Sequence, residues 1–303
     1  MRLSRFSRWA SLGLLFLLAG CRMEDFAPPS VPAPEEGVKP SKQIRVDGWW
    51  TWMGCETPGD PRCEADEIPG RMTWVDGYRI DETEVTVEQY AACVVAGACK
   101  ADSVKLSRPK GKGPPRPSEY CNWKESGREK HPMNCVTWIE ARHYCRWLGG
   151  RLPSEKEWER AARGLSFRRY PWGDAEPGAQ DEPMANLADA NFAKQEVNLE
   201  VIADYLDGHV ATAAVGSYPA GRSAVGALDM AGNVWEWTKT AYLPYPGNQD
   251  LGLAAKARGE TPVIRGGSWT TNAQRARCAN RADCVPWARD PAMGFRCAAD
   301  LHR

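Results

Sequence analysis

Eleven cysteines in 303 residues are the first chemistry to account for. A thiolate can ligate a soft metal, attack an electrophile or close a disulfide, and spacing helps to separate these uses. Cys278 and Cys284 have the spacing of either a metal-ligand pair or a local bridge. Cys55 with Cys63, Cys93 with Cys99, and Cys121 with Cys135 form three further close pairs, which suit short disulfide loops. The histidines, His131, His143, His209 and His302, show no HExxH motif and no other paired spacing for zinc or iron. No glycine-rich phosphate loop precedes a helix, and no Gly-x-Ser-x-Gly elbow occurs. Basic and acidic residues balance at 39 each, so the basic face that nucleic-acid binding requires is not expected.

An odd cysteine count leaves one residue with a separate fate. Arg2, Arg5 and Arg8 precede the apolar stretch Leu12 to Leu18, which is too short to span a bilayer and suits a signal peptide. The ending Leu18-Ala19-Gly20-Cys21 resembles the bacterial lipobox, whose cysteine is acylated and becomes the mature N-terminus. The expected organisation is a signal peptide over 1–20, a lipidated Cys21 with a Pro-rich tether over 21–44, and a globular domain over 45–303. Arg22, in place of Asp, favours sorting to the outer membrane. Removal of the signal leaves 36 basic against 39 acidic residues, a net charge of −3. Export also places the remaining ten cysteines where disulfides persist, and ten is an even number.

The elements that must hold these residues are few. Thr86 with Gln89, Thr137 with Glu140, and Ser154 with Glu157 have capping-box spacing and predict three helices. The first runs from about Val87 to Ala96 and the second from Trp138 to Gly149-Gly150. The third runs from Glu155 to Arg163 and buries Trp158 with Ala161 or Ala162. Met72–Ile80, Asn233–Trp237, Val263–Trp269 and Gly294–Ala298 read as strands. Long stretches without a sustained period, 101–134, 165–215 and 239–262, complete an α+β chain rich in irregular backbone.

Several segments together carry a resemblance. They are Asp81-Glu82-Thr83-Glu84-Val85-Thr86, the run from Arg151-Leu152-Pro153-Ser154-Glu155 through Trp158 to Gly164, and Tyr170-Pro171-Trp172-Gly173-Asp174. Gly232-Asn233-Val234-Trp235-Glu236-Trp237, Arg265-Gly266-Gly267-Ser268-Trp269 and Gly294-Phe295-Arg296-Cys297 follow in order. Over about residues 46–300 the chain resembles the formylglycine-generating enzyme, or sulfatase-modifying factor, family. The resemblance implies one C-type-lectin-like domain with little regular secondary structure, stapled by disulfides. It also implies a bridge between Cys145 and Cys297. Because the family's helix-three partner for the Cys278 position is Ala162 here, a local Cys278–Cys284 disulfide is favoured over a relocated metal pair.

Two calcium sites follow from the same resemblance. One aligns with Asp229, Gly232, Val234 and Glu236, the other with Asn186, Leu187, Asp207 and His209. Gly232, Val234, Leu187 and His209 would serve through main-chain carbonyls. Such mixed carboxylate and carbonyl shells suit Ca²⁺. Catalytic members bind Cu(I) through two cysteines placed just after Gly-Gly-Ser-aromatic. Here Thr271 occupies the first position and the second has no counterpart, so copper is not expected. Ser268, Trp269 and Trp235 mark the expected cleft.

The resulting expectation is a lipid-anchored, non-catalytic domain binding an envelope protein, peptide or glycan, with the membrane as a partner through its lipid. The alternatives are an oxidase that converts a substrate cysteine to formylglycine, and a structural component of an envelope or motility assembly.

Overall fold

The computed structural model describes residues 40–55, 62–107, 116–191, 200–248 and 259–301. The expected signal peptide, Cys21 and most of the tether lie outside them. In chain order the strands are β1 (Gln43–Val46), β2 (Trp49–Met53), β3 (Arg71–Val75), β4 (Tyr78–Asp81), β5 (Leu106–Ser107) and β6 (Arg116–Pro117). They continue with β7 (Trp235–Ala241), β8 (Pro262–Arg265), β9 (Arg281–Asp283), β10 (Met293–Gly294) and β11 (Ala298–Asp300). The helices are α1 (Val87–Val95), α2 (Trp138–Trp147) and α3 (Glu155–Arg163).

All three helices begin at the expected capping boxes, each with its reciprocal pair of side-chain and main-chain bonds. Gly97, Gly149 and Gly164 follow the last turns at positive φ, as helix stops require. Among the described residues, no helix is long and apolar enough to cross a membrane.

A three-stranded sheet in the order β1-β4-β11 brings the start and end of the described chain together. A second sheet has the order β10-β7-β8-β9, and β2 with β3 forms a separate antiparallel pair. The expected strand Met72–Ile80 is therefore two strands in different sheets, broken at Asp76-Gly77. The expected strand Val263–Trp269 stops at Arg265, because Gly266 and Gly267 adopt φ of 99° and 73° and turn the chain into the cleft described below. Gly294–Ala298 likewise divides between β10 and β11.

Tyr78, Ile80, Trp158, Ala161, Ala162, Met230, Cys278 and Ala298 form the apolar cluster between α3 and the first sheet. Helix α3 departs from the expected one-sided burial. Glu155, Glu157, Glu159, Arg160 and Arg163 are buried along with Trp158. The three carboxylates of the helix are neutralised by Arg281 and Arg265 from the second sheet and by Arg151 from the segment just before the helix. Arg281 bonds Glu155 through Nε and Nη2 at 2.8 and 2.9 Å, Arg151 bonds both oxygens of Glu157, and Arg265 bonds Glu159. Such pairing is what makes the burial of these three carboxylates tolerable.

Four of the five expected disulfides are present: Cys55–Cys63, Cys93–Cys99, Cys121–Cys135 and Cys145–Cys297. The fifth, Cys278–Cys284, does not form. Cys278 packs in the α3 cluster with Ala162, whereas Cys284 follows β9 and lines the cleft. The extended residues Arg281–Asp283 between them advance about 3.3 Å each. A bridge requires Cα atoms within about 7 Å.

Candidate functional site

The turn after β8 shapes a cavity of about 790 Å³, bordered by Trp235, Thr271, Arg275, Arg281, Cys284 and Asp290. Of the expected cleft residues, Trp235 lines it, whereas Ser268 and Trp269 are buried. Trp269 instead packs on Tyr120, with ring centroids 5.3 Å apart. Gly267 is required at its position, since a Cβ there would lie 2.8 Å from Thr271 Oγ1 and 3.0 Å from the Arg275 carbonyl. The Thr271 hydroxyl accepts from Ser268 N at 2.9 Å and donates to the Ser268 carbonyl at 2.9 Å. It closes a turn and holds the cleft floor.

Cys278 cannot join it in binding a metal. The sulfur is enclosed by the α3 cluster, and burial pushes its thiol up to about 12. A thiol so hard to ionise is a poor ligand and a poor nucleophile. Cys284 is the one cysteine among the residues bordering the cavity. The present donors therefore do not fit a two-thiolate copper centre.

Glu64, Asp66 and Glu67 sit together at the cavity's edge, but each has a protein partner. Glu67 receives Arg277 on both oxygens and Asn280 on one, Asp66 receives the Tyr242 hydroxyl, and Glu64 receives Arg275. They act as a structural clamp on the cleft wall.

Asn186, Leu187, Asp207 and His209 do converge. Asp207 accepts from the Leu187 and His209 amides, each at 2.8 Å, and so ties two loops together. Asn186 donates to the Ala211 carbonyl at 2.8 Å and to Asn233 Oδ1 at 3.2 Å, while its own Oδ1 is buried without a partner. Burial, reinforced by Asp189, pushes the Asp207 carboxyl up to about 7. An orphaned amide oxygen and a desolvated carboxylate on these joined loops are hard oxygen donors of the type that suits Ca²⁺.

The second set is assembled differently from the expectation. Asp229, with φ 56°, accepts from the Gly216 amide at 2.6 Å. Gly232 also has positive φ, and a Cβ on it would lie 2.2 Å from the Asn186 carbonyl, so the two acidic sites abut through this glycine. Glu236, however, gives both oxygens to Arg296 at 2.7 Å and one also to Trp158 Nε1 at 2.8 Å. The carboxyl that pairs with Asp229 is Glu84. Glu84 also accepts from Asn233 Nδ2 at 3.0 Å. Burial, followed by mutual repulsion, pushes Glu84 well up, and burial also raises Asp229. Two such carboxyls must share a proton or a cation. Glu84 belongs to a recognised motif, but its place opposite Asp229 depends on contacts 145 positions along the chain and has no local signal.

Comparison with known proteins gives the family. Residues 30–301 match the family described as sulfatase-modifying factor enzyme 1-like domain. The formylglycine-generating enzyme of Streptomyces coelicolor is 32% identical, over 90% of this chain and 95% of that one. The hercynine oxygenase of Mycolicibacterium thermoresistibile is 31% identical over 83% of this chain, which spans 57% of that protein. Among solved structures, PvdO from Pseudomonas aeruginosa superposes with a TM-score of 0.64 at 24% identity, covering 86% of this chain and 95% of that one. The superposition shows a shared fold, which in this chain is a disulfide-stapled, C-type-lectin-like α+β fold.

Proposed function

The chain belongs to the sulfatase-modifying factor enzyme 1-like family, which includes formylglycine-generating enzymes, and from this premise we propose a lipid-anchored envelope protein that binds through the family cleft without copper oxidation. The observation that carries this reading is Thr271. Its hydroxyl is committed to the Ser268 main chain at the place where a thiolate would stand. The cavity, with Asp290, Arg275 and Arg281 on its walls, has the size and mixed charge to hold a segment of a protein, a peptide or a glycan. Cys21, acylated after removal of residues 1–20, would hold the domain at the outer membrane.

Calcium is the cofactor of this reading. Asn186, Leu187, Asp207 and His209 hold one ion, supported by the orphaned Asn186 Oδ1. Asp229, Gly232 and Val234 hold a second, with Glu84 as the facing carboxylate and Glu236 as the anchor for Arg296. Bound Ca²⁺ supplies charge compensation and fixes the loops behind the cleft.

A second reading, an oxidase, is favoured by the enzymatic relatives and by Cys284 at the cavity. Titration with Cu(I) against a chromogenic chelator, together with an oxidation assay on a Cys-x-Pro-x-Arg peptide, separates the two. The expected result is no stoichiometric copper and no peptide aldehyde. One Cu(I) per chain, with turnover abolished by Cys284→Ser, would establish the oxidase instead.

A further inference from the structure

The β2–β3 pair has one face largely in the core, with only Trp49 at its end 59% exposed, and one face bare. Thr51, Met53 and Val75 point inward, and Thr51 donates to the Gly164 carbonyl at the end of α3. Because side chains alternate along a strand, Trp50, Trp52, Met72 and Trp74 share the opposite face. The register sets Trp50 against Trp74 and Trp52 against Met72. Trp50 and Trp74 meet edge to face at 5.7 Å, and Phe167 from the loop after α3 packs on Trp52 at 5.1 Å. Trp50, Trp74 and Phe167 are nevertheless 52%, 42% and 62% exposed. A contiguous aromatic face of this kind is not the scattered apolar exposure of an ordinary surface.

We propose that this face docks on the lipid bilayer at the headgroup level, a proposal that rests on the reading of Cys21 as a lipid anchor. Three observations favour a bilayer over other occupants. Tryptophan, with an apolar body and a polar edge, is the residue that concentrates at membrane interfaces. Lys156, whose ammonium donates to the Trp74 carbonyl at 3.1 Å, and Arg168, next to Phe167, place cations at the margin, where anionic headgroups would lie. The hairpin begins at Trp49, 28 positions after Cys21, so the aromatic face belongs to the part of the domain nearest the anchor in sequence. The residues from Cys21 to Pro40 span at most roughly 65 Å when fully extended. Such a tether keeps the face at high local concentration near the membrane, and a weak surface attraction then suffices to seat it. None of these aromatic residues borders the cavity, so docking leaves the cleft open to its ligand.

The test uses the chain isolated from membranes and reconstituted into vesicles of phosphatidylethanolamine and phosphatidylglycerol with brominated acyl chains. Bromine is expected to quench tryptophan fluorescence. Trp50→Ser/Trp74→Ser should remove most of that quenching, and Phe167→Ser should reduce it. Trp287→Ser, at an exposed tryptophan outside this face, should leave it unchanged. Circular dichroism of each variant controls for folding. Equal quenching of the wild type and the double variant, or none in the wild type, overturns the proposal and leaves the face to a glycan or a protein. Mass analysis of the mature N-terminus addresses the anchor separately. An unmodified Cys21 with the quenching pattern intact removes the anchor and keeps the docking face, whereas an acylated Cys21 without that pattern does the reverse.

Discussion

Glu159→Ala should cost the domain about 3–5 kcal/mol, the usual penalty for removing one partner of a buried ion pair. The Glu159 carboxylate is fully buried and accepts from the Gly54 amide at 2.8 Å, from Arg163 Nη2 at 2.9 Å and from Arg265. Its removal leaves the buried Arg163 without its carboxylate and Arg265 with only Glu155, 3.7 Å away. Arg265 also holds the carbonyls of Cys278, Ala279 and Asn280, so the segment leading into β9 and Cys284 loosens with it. For a chain of this size, each kcal/mol lowers the melting temperature by about 2–4 °C. Glu159→Gln, which keeps the shape but not the charge, should fall between the wild type and alanine. Urea midpoints at constant slope provide the measurement, and a loss below about 1 kcal/mol would show that Arg265 does not depend on this carboxylate.

The second large effect is linkage between calcium and pH at Asp207. Its carboxyl rises from an ordinary 3.8 to about 7 in the folded chain without metal. Between those values the folded state holds a proton that the unfolded state has released. The stability this group contributes without calcium is therefore fully present below about pH 4 and is lost as pH rises toward 7. A span of about three pH units corresponds to a ceiling of about 4 kcal/mol. In the calcium reading proposed above the ion would take the place of the proton, so its stabilisation should be small at pH 5 and greatest at pH 8. Melting curves with EGTA and with Ca²⁺ at both pH values measure this. Asp81 is also raised to about 7 by burial, so the difference between wild type and Asp207→Asn isolates the site. A calcium shift that is the same at both pH values and survives Asp207→Asn would exclude the Asn186–Asp207 loops as its origin.

What can be read from the sequence follows rules that act over a few residues. Thr86, Thr137 and Ser154 mark helix starts because a cap bonds its own first turn. Cysteines 6 to 14 positions apart find each other because short loops close readily. Cys278 and Cys284 break that rule because a strand runs between them, and the pairing of β9 with β8 is decided by distant sequence. Helix α3 shows the same limit. Its apolar positions announce the buried Trp158, but nothing local marks Glu155 and Glu159 for the interior. Arg281 and Arg265, arriving from β9 and β8, make the burial of Glu155 and Glu159 possible, while Glu157 is held locally by Arg151 and the Ser154 cap. The acidic sites divide similarly: motif residues locate Asp229 and Glu236, while the crossing of chain segments puts Arg296 on one and Glu84 beside the other.

The bridge between Cys145 and Cys297 spans 152 positions, and Asn186, Asp207, Asp229, Thr271 and Cys284 all lie between its ends. A protease that cuts once anywhere in that interval produces two chains that migrate apart on a gel only after reduction. Before reduction they remain one covalent particle, still joined to whatever the N-terminus holds. With the lipid anchor proposed above, the staple makes a nick a wound that need not release the cleft from the membrane.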